Sequence, residues 1–478
     1  MSPINQWGQH TKIVCTLGPG VAAPSLIERL IRAGMDVARI NRSHGTMEEH
    51  ARYIKTVRDL AKRLSRNVAV LIDLPGPKYR TGEIKNGSVI LKKGSEVVLT
   101  GQNIVGDEKT IPINFPTLQK DVKAGGTILV DDGAMQLRVK EIRGTDILCK
   151  VVVGGTLTPR RGVVVPGVHV SEPFITPIMR QNLEYAIAQK ADYIALSFVS
   201  GPEDVQQVRE ILSENHSDIP LISKIERVEA VRNLDKILAV SDGIMVARGD
   251  LGVEMPLKNV PLIQKEIIRQ CNIQGKAVIT ATQMLESMIN SPRPTRAEVT
   301  DVANAILDGT DAIMLSAETS VGKYPVQAVK MMYDIALQTE RHLPHEEILN
   351  QRRQWLQIQP DELISFDACY TAVRLKAKAI VAFTQSGSTA RRVSRYRPPM
   401  PVIAITPKAE IPGRLVLYWG VYAYQVPTAE TVDSLFNVGT DLIKELGIAK
   451  SGDLIVITGG IPVGIAGSTN LLKVHQVT

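Results

Sequence analysis

Eight short β-rich runs recur along the chain: Lys12–Leu17, Met35–Asn41, Val68–Asp73, Tyr193–Phe198, Pro220–Ile225, Gly243–Ala247, Ala277–Thr282 and Ala312–Ser316. Amphipathic helical stretches such as Ser25–Ala33, Met47–Leu64, Val205–Ser213 and Val260–Gln274 lie among them. Strands that alternate with helices run parallel and are covered by those helices. Eight such units fit a (β/α)8 TIM barrel, with an open doubly wound sheet as the alternative.

The repeat is broken once. Neighbouring strands start about 23 to 35 residues apart, a comfortable βα unit, but between Asp73 and Tyr193 the interval is several times longer. Glycines at 87, 94, 101, 125, 126, 154 and 155 there separate short strand-like runs, among them Val89–Lys92, Glu96–Thr100, Thr127–Val130 and Leu148–Val152. This pattern predicts a small all-β domain inserted after the third strand, at the barrel mouth where it serves as a lid. Beyond residue 343 a charged linker (His345–Arg353) leads to a helix and to strands Ala379–Thr384, Val402–Thr406 and Leu454–Thr458, a C-terminal α/β domain. The expected division is a barrel of residues 1–73 and 170–343, a lid of 74–169 and a C-terminal domain of 344–478.

The chain has 478 residues, 44% of them hydrophobic, enough for several cores and far from a disordered composition. Its net charge of +7 admits nucleic acid or anionic metabolites as partners without choosing between them. Cys15, Cys149, Cys271 and Cys369 show no CxxC spacing, which argues against a disulfide scaffold or zinc ribbon and for a reducing compartment. The start, Met1–Gln6, lacks the pattern of a signal peptide, and no apolar run reaches membrane-spanning length. A cytoplasmic location without membrane association is expected.

In such a barrel the chemistry belongs at the C-terminal ends of the strands. Arg39, Asn41 and Ser43 share one face of the second strand at period two, and a guanidinium beside neutral oxygens suits phosphate. Asp73 ends the third strand, a weak signal alone because aspartate before Pro-Gly is usual in turns. Lys224 and Glu226, two apart, point together from the fifth strand. Asp250, after the sixth, pairs with Glu226 as oxygen ligands of the kind that suit Mg²⁺, which keeps waters and takes substrate oxygens. Gly249 lets a substrate approach backbone N–H groups, and Thr282 supplies a hydroxyl. Each residue alone has an ordinary structural explanation. Together they equip a site for anionic oxygen chemistry, phosphoryl transfer or enolate formation above all. A Walker-A loop, the protein-kinase motifs and a serine nucleophile elbow are all missing from the sequence.

Lys12–Pro19, Arg39–Gly45, Ile222–Glu226, Ser241–Glu254, Ala281–Met288 and Pro292–Glu298 carry a resemblance to the pyruvate kinases that covers almost the whole chain. The resemblance implies transfer of a phosphoryl group from phosphoenolpyruvate to ADP, giving pyruvate and ATP, by a homotetramer with Mg²⁺, or Mn²⁺ in its place. It implies that Glu226 and Asp250 bind the metal, and that Lys224 stabilises the moving phosphoryl group and the enolate. Arg39, Gly249, Asp250 and Thr282 would hold phosphoenolpyruvate, with Thr282 also in the proton relay. Asn41, Arg42, Ser43, His44 and Arg80 would face the nucleotide, joined by Arg161 from the lid, where the family commonly has lysine.

The family's potassium site maps near Asn41, Ser43, Asp73 and Leu74, and an acidic residue that supports it is replaced by Lys78. An ammonium there supplies the missing charge and repels K⁺, so K⁺ independence is expected. Arg42 stands in place of a common Phe, on the opposite strand face. In the C-terminal domain Thr384, Gln385, Ser386, Gly387, Ser388 and Thr389 match the family's effector-phosphate loop, and hydroxyls with glycine-permitted N–H groups suit phosphate. The later loop, Gly459–Asn470, lacks the aromatic or Arg of fructose-bisphosphate-responsive members, so a monophosphate effector is expected. Competing readings are a barrel lyase or aldolase acting on pyruvate enolate, which does not need Arg80, Lys224 and a lid together, and a non-catalytic metabolite- or RNA-binding protein. The second predicts a disrupted catalytic position, whereas every mapped position holds competent chemistry, so nucleic acid is not an expected partner.

Overall fold

The structure, a computed structural model, describes residues 8–168, 170–427, 431–462 and 469–478. Strands Lys12–Thr16, Val37–Asn41, Ala69–Leu74, Tyr193–Leu196, Leu221–Ile225, Gly243–Ala247, Ala277–Ala281 and Ala312–Leu315 close into an eight-stranded barrel. The eighth returns to the first in parallel register, Lys12 opposite Ala312. An open sheet is therefore excluded. Several strands stop short of the sequence-derived ends because the backbone leaves the extended region there. Phe198 (φ 60°) and Thr282 (φ 67°) are left-handed.

Period-two alternation sorts each strand into two layers. Outward residues such as Ile13, Ala38, Ile72, Ile194 and Val246 pack with Leu30, Val57, Ile211 and Ile267 of the surrounding helices. Inward residues Val14, Val37, Leu71, Ala195, Ile222, Met245, Ile279 and Met314 fill the barrel. Toward the C-terminal mouth the same inward series turns polar: Thr16, Arg39, Asp73, Ser197, Lys224 and Glu226 are all buried. Pairing sets these groups level with one another, since Thr16 lies opposite Arg39 and Asn41 opposite Asp73. Helix Met47–Arg63 is started by a Thr46–Glu49 capping box, which stops the second strand's loop from running on.

After the third strand comes a seven-stranded sheet, in the order Tyr79–Arg80, Gly162–Val164, Thr127–Val130, Met135–Arg143, Asp146–Val153, Glu96–Thr100, Thr110–Pro112. An antiparallel bridge from Thr81 to Ile113 joins its two edges around Tyr79, Leu99, Ile128, Leu137 and Val151. The C-terminal unit is a five-stranded sheet, in the order Val421–Gln425, Val402–Thr406, Ile380–Phe383, Leu454–Gly460, Thr469–Gln476, with only the last strand antiparallel. Residues 345–353, expected as a linker, are instead mostly helix (His345–Arg352). Leu349 anchors the helix in the core, and Arg352 donates to the Arg395 carbonyl.

The C-terminal unit docks on the floor of the barrel, opposite the mouth. Arg397 pairs with Asp311 at 2.6 Å, Tyr193 Oη donates to the Arg414 carbonyl at 2.5 Å, and the His10 ring packs tilted against Trp419 with centroids 4.4 Å apart. Among the described residues all four cysteines are free and buried, and no helix is long and apolar enough to cross a membrane.

Candidate active site

Lys224 lies at the centre of the mouth. Its Nζ stands 2.7 Å from Ser197 Oγ, 2.9 Å from Glu226 Oε1 and 3.4 Å from Asp73 Oδ1. Asp73 also accepts from Arg39 Nε at 2.8 Å, and Arg39 Nη1 donates to Thr16 Oγ1 at the same distance. Arg39, Asp73, Lys224 and Glu226 are each less than a tenth exposed. Buried charges persist only when paired, and here two cations face two carboxylates. Burial pushes the Asp73 pKa up, but the Lys224 and Arg39 charges outweigh it and leave the carboxyl below its ordinary value. Burial pulls Lys224 down, and the Asp73 and Glu226 carboxylates more than restore it, so it stays an ammonium.

Glu226 follows the fifth strand and Asp250 lies in the short helix after the sixth, two strands paired in the register Ile225 to Val246. Glu226 Oε2 accepts the Phe198 N–H at 2.6 Å, an interaction made possible by the left-handed turn at Phe198. Its Oε1 is buried with no hydrogen bond among the described residues, although it faces the Lys224 charge. Burial, with the Asp250 carboxylate as a further cause, raises the Glu226 pKa despite Lys224, whereas Lys78 and Lys224 hold Asp250 low against its own burial. A carboxylate oxygen that faces only the Lys224 ammonium among the described residues, beside a second carboxylate, fits a divalent cation. Among the described residues no group of three or more Asp, Glu, His or Cys could hold a metal unaided. The pair therefore suits an ion whose remaining positions are filled by water and substrate oxygen, the preference of Mg²⁺.

Asp250 and Gly249 open the short helix Arg248–Glu254. The Gly249 N–H donates to Thr282 Oγ1 at 2.8 Å, so the residues expected to hold one substrate do meet. Arg80, at the root of the lid, contacts the Arg160 carbonyl, while Arg161 turns to Thr158 and Asp131. Asn41 accepts the Ser43 N–H within an exposed turn that also holds His44, whose pKa is lowered by burial and then by Arg80 and Arg39.

Two expected members are turned away. Arg42 points outward with the even-numbered residues of its strand. It donates to Asn182 Oδ1 at 2.9 Å, contacts His50 and lies over the Tyr185 ring at 4.8 Å, which accounts for a cation at this position as packing. Leu74 belongs to the outer apolar layer. Lys78 is also placed differently from the expectation. Its Nζ reaches Asp250 Oδ1 at 2.5 Å and Asp132 at 3.8 Å and lies over the Phe198 ring at 5.2 Å. Among the described residues its ionic partners are thus the metal-type carboxylate and the lid, not Asn41, Ser43 or Asp73.

Sequence reasoning missed Thr16, Ser197 and Phe198. Ser197 continues the inward series Tyr193, Ala195, and that periodicity was the available signal in a strand without charged residues. In the C-terminal unit Gly387 is left-handed (φ 84°), Ser386 Oγ donates to Ser388 Oγ at 3.2 Å, and Thr389 meets Thr469 at 2.8 Å. Thr384 Oγ1 is buried without a hydrogen-bond partner among the described residues, and Gln385 is half-buried. Of the later loop, residues 463–468 lie outside the described residues.

Comparison with known proteins agrees with this geometry. Residues 8–329 match the family model described as pyruvate kinase, barrel domain, and residues 362–475 match pyruvate kinase, alpha/beta domain. The chain is 48% identical over 473 residues to a pyruvate kinase of Geobacillus stearothermophilus, covering 98% of this chain and 81% of that one. It is 45% identical over 471 residues to one from Staphylococcus aureus, covering 98% and 80%. A crystal structure of a pyruvate kinase from Cryptosporidium parvum superposes with a TM-score of 0.93 at 38% identity, covering 98% of this chain and 97% of that one. The family models, the sequence relatives and the solved structure agree, and the chain belongs to the pyruvate kinase family of phosphotransferases.

Proposed function

We propose that this enzyme converts phosphoenolpyruvate and ADP to pyruvate and ATP at the mouth of the barrel, with Lys224 as the central catalytic group. The observation that carries this is the buried Lys224 ammonium fixed between Asp73, Ser197 and Glu226. In that position a cation lowers the energy of charge that develops on both the moving phosphoryl group and the departing enolate oxygen. Arg39, rigidly held by Asp73 and Thr16, presents its remaining donors to the substrate phosphate. The bond from phosphorus to the enol oxygen breaks as the bond to the β-phosphate oxygen of ADP forms. Thr282 then takes part in delivering the proton that converts enolate to pyruvate; its hydroxyl oxygen accepts the Gly249 N–H and its own proton rests on the Ala281 carbonyl.

Glu226 and Asp250 would hold Mg²⁺, which supplies a Lewis acid for the substrate oxygens; Mn²⁺ is an alternative occupant. Asn41, Ser43, His44 and Arg80 form the nucleotide-facing rim, with Arg161 brought by the lid. K⁺ independence is supported by the three protein cations Arg39, Lys224 and Lys78, which already meet Asp73 and Asp250. Regulation by a phosphorylated metabolite at Thr384–Thr389, with a monophosphate favoured, is supported by the Thr384 hydroxyl, unpartnered among the described residues, and the clustered Ser386, Ser388 and Thr389. A homotetramer in a reducing cytoplasm accords with the family and with four free buried thiols.

The test is a coupled assay for pyruvate from phosphoenolpyruvate and ADP. Lys224→Met should abolish turnover while far-UV circular dichroism and the oligomeric state stay unchanged; full activity in that variant would remove Lys224 from the mechanism.

A further inference from the structure

Arg248 has no place in the substrate-facing set, yet its side chain grips that set from behind. Its backbone opens the helix that carries Gly249 and Asp250. Its guanidinium crosses to the end of the seventh strand, where Nε donates to the Ala281 carbonyl at 3.2 Å and Nη2 to the Thr282 carbonyl at 2.7 Å. Nη2 also touches Met284 Sδ at 2.8 Å, and Nη1 reaches Asp301 Oδ1 at 2.8 Å and Gln264 Oε1 at 3.3 Å.

The turn so gripped resists its own conformation. Thr282 (φ 67°) and Gln283 (φ 55°) are consecutive left-handed residues without glycine, and the first is β-branched. Such backbone persists only where surrounding contacts over-determine it, and it gathers at functional sites. Two bridges do this here. The Gly249 N–H meets the Thr282 hydroxyl, and the Arg248 fork holds the carbonyls on either side of that residue's nitrogen. Asp301, on helix Arg296–Leu307, neutralises the guanidinium at the far end. Arg248 is therefore unlike Arg39. Its charge is spent within the protein, and its planar fork fixes geometry.

We propose that Arg248, braced by Asp301, is the positioning residue that keeps the Thr282 hydroxyl in register with Gly249 and Asp250, so that the sixth and seventh strand ends act as one unit during protonation of the enolate. This rests on the proton-relay role proposed for Thr282, and the experiment separates the two. Arg248→Lys keeps the charge facing Asp301 but cannot span two carbonyls; Asp301→Asn leaves the fork and removes its brace. For both, and for Thr282→Ala, kcat and both KM values are measured. So is exchange of the pyruvate methyl protons in D2O with Mg²⁺ and ATP, followed by NMR, alongside thermal unfolding.

Misplacing a reacting group by a fraction of an ångström to 1 Å costs about 10- to 100-fold. Arg248→Lys should lose about that much in kcat and in methyl exchange together, with KM for ADP within about twofold and cooperative unfolding retained; Asp301→Asn should move the same way by less. Wild-type kcat and exchange in both, alongside a damaged Thr282→Ala, would overturn the positioning role. Wild-type exchange in Thr282→Ala would instead overturn the role of Thr282, and the proposal with it. If Arg248→Lys fails to fold, Asp301→Asn decides: unchanged exchange refutes the brace.

Discussion

Replacing Lys78 by Gln removes an ammonium 2.5 Å from Asp250 Oδ1 without creating a new charge. At that separation Coulomb's law gives about 2 kcal/mol in bulk water and about 7 kcal/mol at an effective dielectric of 20. The Asp250 side chain is 30% exposed and that of Lys78 11%, so the lower part of the range applies. A loss of about 2–3 kcal/mol corresponds to roughly 30- to 150-fold if all of it is felt in the transition state, which makes this a ceiling. The lost charge sits beside Asp250 and not at Asn41, Ser43 or Asp73, so rescue by a monovalent cation would act through the Asp250 carboxylate. The assay is initial rate with saturating phosphoenolpyruvate, ADP and Mg²⁺, in tetramethylammonium chloride and with K⁺ titrated in at constant ionic strength. The parent enzyme should turn over equally in both salts. Lys78→Gln should be slow in tetramethylammonium and recover as K⁺ rises, and Lys78→Glu should show a steeper recovery. A parent enzyme that stalls without K⁺, or a Gln variant indifferent to it, would refute the assignment of Lys78 as the built-in cation.

Two further outcomes are expected. Burial lowers the His10 pKa to about 3, helped by Lys12, His345 and Arg397. A depressed histidine contributes stability that is present above its unfolded value near 6.5 and is lost as pH falls toward the folded one, because only the unfolded chain takes up the proton. Between pH 7.5 and pH 5 this amounts to about 2 kcal/mol, so His10→Phe, which keeps a ring against Trp419, should flatten the acid limb of thermal stability measured by calorimetry. At the effector loop, Thr384→Val should abolish activation by a sugar monophosphate or AMP and leave basal turnover intact. Activation of the parent by fructose bisphosphate alone, seen in steady-state rates, would count against a monophosphate site.

How much of this was legible in the sequence follows from the range of the forces involved. Barrel strands and helix Val260–Gln274 were read to within a few residues, because alternation and 3.6-residue periodicity are local consequences of burial. The inward direction of Lys224 and Glu226 followed from the same parity. Helix His345–Arg352 was missed because its charged surface hides a single anchoring Leu349; strand Val421–Gln425 was missed although its alternating burial and its tyrosines suit a half-buried strand. Lys78 shows a different limit. Its motif was visible, but whether an ammonium on a flexible stem turns toward Asp73 or Asp250 depends on the lid's angle, which no local pattern encodes. Arg42 could be placed by parity alone, and its role as packing needed Asn182 and Tyr185, which lie 140 and more positions away.

The hydrogen bond from Tyr193 Oη to the Arg414 carbonyl ties the floor of the barrel to the C-terminal unit at the foot of the fourth strand. At the top of that same strand Ser197 meets Lys224, and the Phe198 N–H holds Glu226. An extended strand is nearly inextensible, at about 3.3 Å per residue, so Tyr193 and Ser197 are held about 13 Å apart. Because the third and fifth strands pair with this one on both sides in the closed barrel, it cannot slide alone, so the floor contact and the partners of the lysine and of the metal-type carboxylate belong to one stiff body.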